Sequence, residues 1–432
     1  MQPMSSCRLR LGLIMVILSV THFLQPCRGF SGYRSGMSRV AGRYPNNGFA
    51  ESSHTHKVFP NNQPTSRSSH FHRNFLERPL SLTTHRNTQN TARPTFLSMS
   101  TDSQAEVEVI PGRPTWQQTM LRIADPAKSI PFYTDVLGMT LIDKFDFPDM
   151  EFTLYFVTTL PEGEEYDLTP GTKEAHDYLW TMEGTALELT HNHGTEKADF
   201  KGYHPGNAEK DGFGHIAVSC DDVYASCKEL ENAGITFKKK PDEGRMKGLA
   251  FAYDPDSYWV EVVRRGTPGK IPNKFNLSQT MLRVKDPKKS IEFYQKLGMK
   301  LLSERHFSDF SLYFMASNVE APPNTGDEGR AVVKDLFGPV LELTHNHGTE
   351  NDADFKHFNG NEPDRQGFGH TGFLVDDVYK ACDAIREMGY GMKKEPDGGK
   401  MKGLAFAYDP DGYAVEIIKR GGIEFGDKKV DS

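Results

Sequence analysis

An α+β fold of four βαβββ modules, set out as two tandem domain-length copies, is what this 432-residue chain predicts. Three observations carry that reading. Long strings recur in the same order: QTMLR at Gln118–Arg122 and Gln279–Arg283, LELTHNHGTE at Leu187–Glu196 and Leu341–Glu350, GFGH ending at His215 and His370, and MKGLAFAYDPD starting at Met246 and Met401. The copies keep a nearly constant spacing, 154 residues between Glu188 and Glu342 and 155 between His215 and His370. That is a domain's length, not the roughly 20–50 residues of a solenoid unit. Within each copy the pattern of apolar residues runs strand, helix, three strands, and then repeats. The glutamines Gln118 and Gln279 lie 161 apart, so the stretch from glutamine to glutamate is seven residues longer in the first copy.

The elements follow in order. Trp116–Ile123 reads as a strand. Asp125-Pro126 then supplies an N-cap with proline at the first helical position, and a helix runs to Leu137 before Gly138. Strand patterns occupy Thr140–Phe145, Glu151–Thr158 and Ala186–Thr190. The second module has a strand at Phe213–Ser219, a helix over Asp222–Ala233 closed by Gly234, and strands at Ile235–Lys238, Leu249–Tyr253 and Trp259–Arg264. The second copy repeats the scheme, with Asp286-Pro287 opening its first helix and Gly298 closing it. Domains are read at 112–266 and 275–421.

Residues 1–99 have a different composition. They hold twelve Lys/Arg against Glu51 and Glu77, whereas the rest of the chain carries a net charge of −17. So acidic a body excludes a nucleic-acid partner, which needs a basic face to neutralise phosphates. MQPMSSCRLR followed by LGLIMVILSV is a basic n-region and an apolar stretch of signal-peptide length, too short for a comfortable membrane span. The Ser-, Thr-, Asn- and Arg-rich stretch from Phe30 to about Ser98 has transit-peptide composition. Together they resemble the bipartite presequence of proteins entering complex plastids, with a mitochondrial or secretory route as the alternative. The mature chain, expected to start near Ser98–Gln104, then keeps no membrane segment. Cys220, Cys227 and Cys382 have no paired spacing and read as small buried hydrophobes, not as a disulfide framework.

Four polar residues recur with the modules. Gln118 and His215 fall on the first strands of their modules and Glu188 and Glu261 on the last; Gln279, His370, Glu342 and Glu416 repeat the placement. Each set offers three oxygens and one imidazole nitrogen. That suits Zn²⁺, Ni²⁺, Co²⁺ or Mn²⁺ in a site that keeps positions open for substrate oxygens, and it is harder than a thiolate-rich structural zinc site.

The strings QTMLR-x-x-DP, LGM, LELTHN, GFGH, PDxGxMKGLAF and DPD-x-Y-x-x-E are very similar to glyoxalase I (lactoylglutathione lyase) of the vicinal-oxygen-chelate superfamily, in its tandem two-copy form, over roughly 115–264 and 277–419. The resemblance implies that fold, with two barrel-like pockets. It implies metal ligands shared between the copies: Gln118, Glu188, His370 and Glu416 in pocket A, and Gln279, Glu342, His215 and Glu261 in pocket B. It implies isomerisation of the methylglyoxal–glutathione hemithioacetal to S-lactoylglutathione, in a monomer whose pockets are both intramolecular. Glu416 and Glu261 match the principal base, with Glu188 and Glu342 across the substrate. Zinc is the first choice of metal, because the longer glutamine-to-glutamate segment resembles the zinc-using long form. Glutathione, the co-substrate, is expected on Arg122, Asn192 and Lys394 in A and on Arg283, Asn346 and Lys239 in B.

One departure bears on the pockets. Where relatives often carry arginine immediately before GFGH, this chain has Asp211 and Gln366, with Arg365 one residue further back. Arg365 is expected to reach substrate in A and Asp211 to repel it in B, which makes A the better binder. His191, His193, His345 and His347 read as pocket lining or surface, and Lys238 and Lys240 as solvated. Within the same superfamily, a dioxygenase, a thiol transferase or a non-catalytic binding module is the alternative function.

Overall fold

The computed structural model describes residues 107–423, so the presequence expected over 1–99 lies outside the described residues. The first copy runs β1 (Thr115–Ile123), α1 (Pro126–Pro131), β2 (Thr140–Phe147), β3 (Phe152–Thr158), α2 (Lys173–Leu179), β4 (Ala186–Asn192), β5 (Phe213–Cys220), α3 (Val223–Asn232), β6 (Phe237–Lys239), β7 (Ala250–Tyr253) and β8 (Trp259–Arg264). The second runs β9 (Asn276–Arg283), α4 (Pro287–Lys296), β10 (Lys300–His306), β11 (Phe310–Ala316), α5 (Asp327–Asp335), β12 (Val340–Asn346), β13 (Phe368–Val375), α6 (Val378–Glu387), β14 (Met392–Lys394), β15 (Leu404–Tyr408) and β16 (Ala414–Lys419).

Local chemistry sets these boundaries. Asp125, Asp222, Asp286 and Asp377 each accept a backbone N–H of the first helical turn, a cap worth about 1 kcal/mol. The glycines that end two of these helices, Gly138 and Gly298, have φ of 71° and 81°, a conformation that a Cβ penalises. α1 continues into a π-helical turn over Phe132–Val136. The second copy reads FYQKLG where the first reads FYTDVLG, so the wider turn absorbs one extra residue.

Two eight-stranded sheets result, and each takes half its strands from each copy. One has the order β14-β15-β16-β13-β1-β4-β3-β2, the other β10-β11-β12-β9-β5-β8-β7-β6. The copies join where β1 pairs antiparallel with β13 and β5 with β9. Neither sheet closes into a barrel: β2 and β14 stay as the edges of one, β10 and β6 of the other. The inner edges β6 and β14 are only three residues long, with shifts in their pairing register. The sheets meet at Thr119 and Thr280, whose hydroxyls lie 2.9 Å apart. One apolar core runs through both copies, with Phe213 and Phe368 stacked at 5.3 Å where they join.

The repeated DPD string is a clamp. In the first copy Asp254 accepts the Tyr133 hydroxyl (2.8 Å), and Asp256 accepts Ala124 N–H and the Ser129 hydroxyl (2.7 Å each). Asp409 and Asp411 do the same for Tyr294, Lys285 and Ser290. Modules of one copy are thus pinned helix to turn, while their strands pair with the other copy. No helix among the described residues is long and apolar enough to cross a membrane. Cys220, Cys227 and Cys382 are buried and unpaired.

Candidate metal centres

Strand register explains how the polar residues meet. Gln118 lies opposite Gly372, which pairs with Glu416; Met120 lies opposite His370 on one side and Glu188 on the other. Directly opposed residues share a face, so β16, β13, β1 and β4 present Glu416, His370, Gln118 and Glu188 on one face in two neighbouring rows. Gly372 leaves room for the glutamine to cross it: a Cβ there would stand 2.5 Å from Gln118 Cγ. In the other sheet Gln279 lies opposite Ala217, and Met281 opposite His215 and Glu342, with Glu261 beside Ala217.

The side chains converge. In cluster A, Gln118 Nε2 lies 2.5 Å from Glu188 Oε2, 2.8 Å from Glu416 Oε2 and 3.1 Å from His370 Nε2. His370 Nε2 is 3.1 Å and 3.0 Å from the same carboxylates. In cluster B, Gln279 Nε2 lies 2.6 Å from Glu261, 2.8 Å from Glu342 and 3.1 Å from His215. This cluster is looser on its histidine side, with His215 at 3.3 Å and 3.7 Å from the two glutamates. All eight side chains are buried.

The donor set fits a divalent cation on three grounds. Donors set at right angles around an ion with bonds of about 2.1 Å are about 3 Å apart; His370 stands 3.1 and 3.0 Å from its two glutamates, and His215 3.3 and 3.7 Å from its own. The amide nitrogen of Gln118 meets the two carboxylates and the imidazole nitrogen of His370, while its Oε1 is buried without a hydrogen-bond partner. Because the two ends of an amide are assigned from their contacts, a cation would draw the oxygen inward instead. Finally, each cluster buries two carboxylates with an imidazole as its only basic member, an arrangement that demands positive charge. Burial opposes protonation of His370, yet Glu188 and Glu416 outweigh it and push the imidazole up to about 9. His215 is pushed to about 9 in the same way by Glu261 and Glu342. Burial also raises Glu416 above its ordinary range.

The cations expected to hold substrate are partly committed elsewhere. Arg122 donates to the carbonyls of Gly360, Gly367 and Phe368 and to Asn361 Oδ1 (2.9 Å). Arg283 does the same with Asp211, Phe213 and Asn207. Each arginine therefore also braces the loop that delivers a histidine to its own cluster. Lys394 and Lys239 hook the carbonyls of Leu404 and Leu249 at 2.6 Å. Burial lowers both ammonium groups while Glu416 and Glu261 pull them up, so each lysine stands near the glutamate of its cluster. Asn192 is buried and donates to the Tyr203 hydroxyl (2.7 Å), whereas Asn346 is exposed.

Two residues expected to act on substrate are engaged with each other. Arg365, expected to reach substrate in A, pairs with Asp211 at 3.0 Å and lies 4.2 Å over the Phe358 ring. Asp211, 4% exposed, also accepts Ala208 N–H at 2.7 Å, so its charge is paired within the loop junction, where it also acts on Arg283. The two positions that suggested unequal pockets instead neutralise each other. The extra histidines stay outside the clusters. His191 and His345 pair with Glu196 and Glu350, while His193 and His347 bond Thr153 and Ser311. Lys240 pairs with Glu231, and Lys238 covers the Trp259 ring. Sequence reasoning missed Arg305, which lies in the row of Leu312 and Thr344, within the field of Glu342 and Glu261, where the first copy has Phe145; setting the two copies side by side shows the mismatch.

Residues 115–262 and 276–417 match the family described as Glyoxalase/Bleomycin resistance protein/Dioxygenase superfamily. Glyoxalase I of Saccharomyces cerevisiae is 42% identical over 346 residues, covering 75% of this chain and 99% of its own. Lactoylglutathione lyase of Schizosaccharomyces pombe is 41% identical over 307 residues, covering 70% and 95%. The crystal structure of glyoxalase I from Zea mays, 28% identical, matches 71% of this chain and 92% of its own with a TM-score of 0.51. Two matched domains in tandem, with relatives aligned over nearly their whole length, establish that the chain belongs to the Glyoxalase/Bleomycin resistance protein/Dioxygenase superfamily, among its glyoxalase I members.

Proposed function

We propose that this chain is a lactoylglutathione lyase that isomerises the methylglyoxal–glutathione hemithioacetal to S-lactoylglutathione at two centres, each shared between the copies. The observation that carries the proposal is the pair of buried quartets, one glutamine, one histidine and two glutamates apiece, drawn from four modules of one chain. Gln118, Glu188, His370 and Glu416 would hold one divalent ion, and Gln279, Glu342, His215 and Glu261 the other. Zinc is favoured, and nickel, cobalt and manganese fit the same donors. When bound, the ion supplies Lewis-acid stabilisation of the negative charge that develops on substrate oxygen.

The chain's own groups move the proton. Glu416 in A and Glu261 in B take the C1 proton and return one to C2, with Glu188 and Glu342 on the opposite side. Arg122, Asn192 and Lys394 in A, and Arg283, Asn346 and Lys239 in B, would set the carboxylates of glutathione at the rim. Both centres lie within one chain, so a monomer suffices. The presequence composition supports delivery to a plastid, with mitochondrial and secretory routes as alternatives.

Purified protein starting near residue 100 should form thioester from methylglyoxal and glutathione, lose that activity to a chelator, and recover it with zinc. Thioester formation that persists through exhaustive chelation would overturn the metal-dependent reading; no thioester with any of the four ions would overturn the lyase.

A further inference from the structure

The two quartets are near copies, but the walls beside them are not. In one sheet Thr190 lies opposite Leu154, which lies opposite Phe145; in the other Thr344 lies opposite Leu312, which lies opposite Arg305. Thr190 and Thr344 each bond the glutamate two residues before them, Glu188 and Glu342, which fixes the face. Phe145 and Arg305 therefore hold the same place on the donor-bearing faces of the two sheets.

Their surroundings differ to match. Phe145 is 7% exposed, stacks on His176 at 4.1 Å and packs near Phe156 and Trp180 at 5.9 and 5.8 Å. Arg305 is half-buried, with its guanidinium 5.5 Å over the Phe314 ring. Its Nε is buried without a hydrogen-bond partner, and no carboxylate of the described residues stands within ion-pair distance. Burial weakens its hold on the proton, Arg330 adds to that, and Glu342 and Glu261 of cluster B work against it. A buried Nε–H without an acceptor is costly, and both nearby glutamates are already engaged by Gln279.

What the copies share should recognise what their ligands share. The arginine, asparagine and lysine assigned to glutathione occur in both copies, so the unmatched Phe145 and Arg305 face the part that varies, the aldehyde-derived group. We infer that centre B takes adducts whose aldehyde-derived part carries an anionic group, with Arg305 setting that specificity, while the aromatic wall of centre A takes apolar ones. The inference rests on the lyase reading above.

Two non-reacting probes, S-benzylglutathione and S-(4-carboxybenzyl)glutathione, test it by calorimetric titration of the zinc-loaded protein. One of two sites should bind the carboxylated probe about tenfold or more tightly than the other site does, the worth of one charge-assisted hydrogen bond. R305F should erase that difference, R305K keep part of it, and F145R create it at the other site. In turnover, E416Q should favour the glutathione adduct of 4-carboxyphenylglyoxal, and E261Q that of phenylglyoxal. Equal weakening of both probes by R305F would mean that Arg305 only offsets the charge of the donor carboxylates, and would sink the inference. Discrimination between probes without turnover of any adduct would spare Arg305 and sink the lyase; turnover without discrimination would do the reverse.

Discussion

Asp211 precedes the strand that carries His215, and from sequence position alone its charge faces any anion entering centre B. The fold turns it instead to Arg365 of the other copy and to Ala208 N–H, with 4% of the residue exposed. D211A should therefore cost about 1–3 kcal/mol of stability by leaving those donors unpaired. It should not tighten substrate at B, as relief of repulsion would. Denaturant midpoints and the KM of the E416Q background check both halves, and a KM that falls on removing Asp211 would restore the repulsion reading. The cluster histidines make a second prediction at this scale. Each holds its proton to about 9 when folded against 6.5 otherwise, so between those values the folded chain binds more protons than the unfolded one. Their contribution is fully present below 6.5 and is lost as pH rises through 9. Chelated protein should thus melt higher near pH 6 than near pH 9.5, whereas a bound cation, which replaces those protons, should flatten or invert the trend. Identical pH profiles with and without metal would show that the carboxylates do not govern the imidazoles.

At the scale of elements, strands were legible because alternation survives wherever one face meets the core and the other a pocket, as in TLYFV of β3. The capped helices were legible from Asp-Pro and Asp alone. The helices between the third and fourth strands of each first module, α2 and α5, were not. α2 spans seven residues from a Thr172 cap, and α5 starts at Asp327 behind Gly326, which supplies no side-chain cap, inside connections whose proline and glycine content reads as loop. Nor does any local pattern distinguish a π-helical turn from a helix with one residue too many. The DPD strings read as part of a family signature, but their work is mechanical: they tie α1 and α4 to the turns before β8 and β16. D411A would strip the acceptor from Lys285 N–H and one of the two acceptors from the Ser290 hydroxyl and should cost about 1–3 kcal/mol. Metal content should stay at two ions per chain, because all eight donors lie on strands. A folded D411A protein that loses one ion would show that the clamp shapes the centre as well.

Over the whole molecule, the repeats and the sheets divide the chain differently. The repeats cut it between 266 and 275, yet β1 finds its partner in β13 and β5 in β9. Local sequence marks eight donors in repeated strings, but not which four belong together. Strand partners separated by some 250 residues leave no local trace, so the crossed grouping came from resemblance rather than from the residues. Openness of the sheets was equally hidden, since edge strands of three residues carry too little pattern to show whether they close. The crossing has a consequence for the halves. Residues 112–266 alone keep Gln118 and Glu188 on one half-sheet and His215 and Glu261 on another, with the pairing edges of β1 and β5 both bare. Such a half should hold little metal and turn over little substrate at low concentration. Mixing it with residues 275–421 should restore both, because the two exposed edges of each piece are complementary to those of the other. Size-exclusion chromatography with metal analysis and turnover across a dilution series separates the cases. Activity that rises with concentration marks a half pairing with itself through the same edges, whereas an isolated half that stays monomeric and active would mean that β1 and β5 close a centre within one copy.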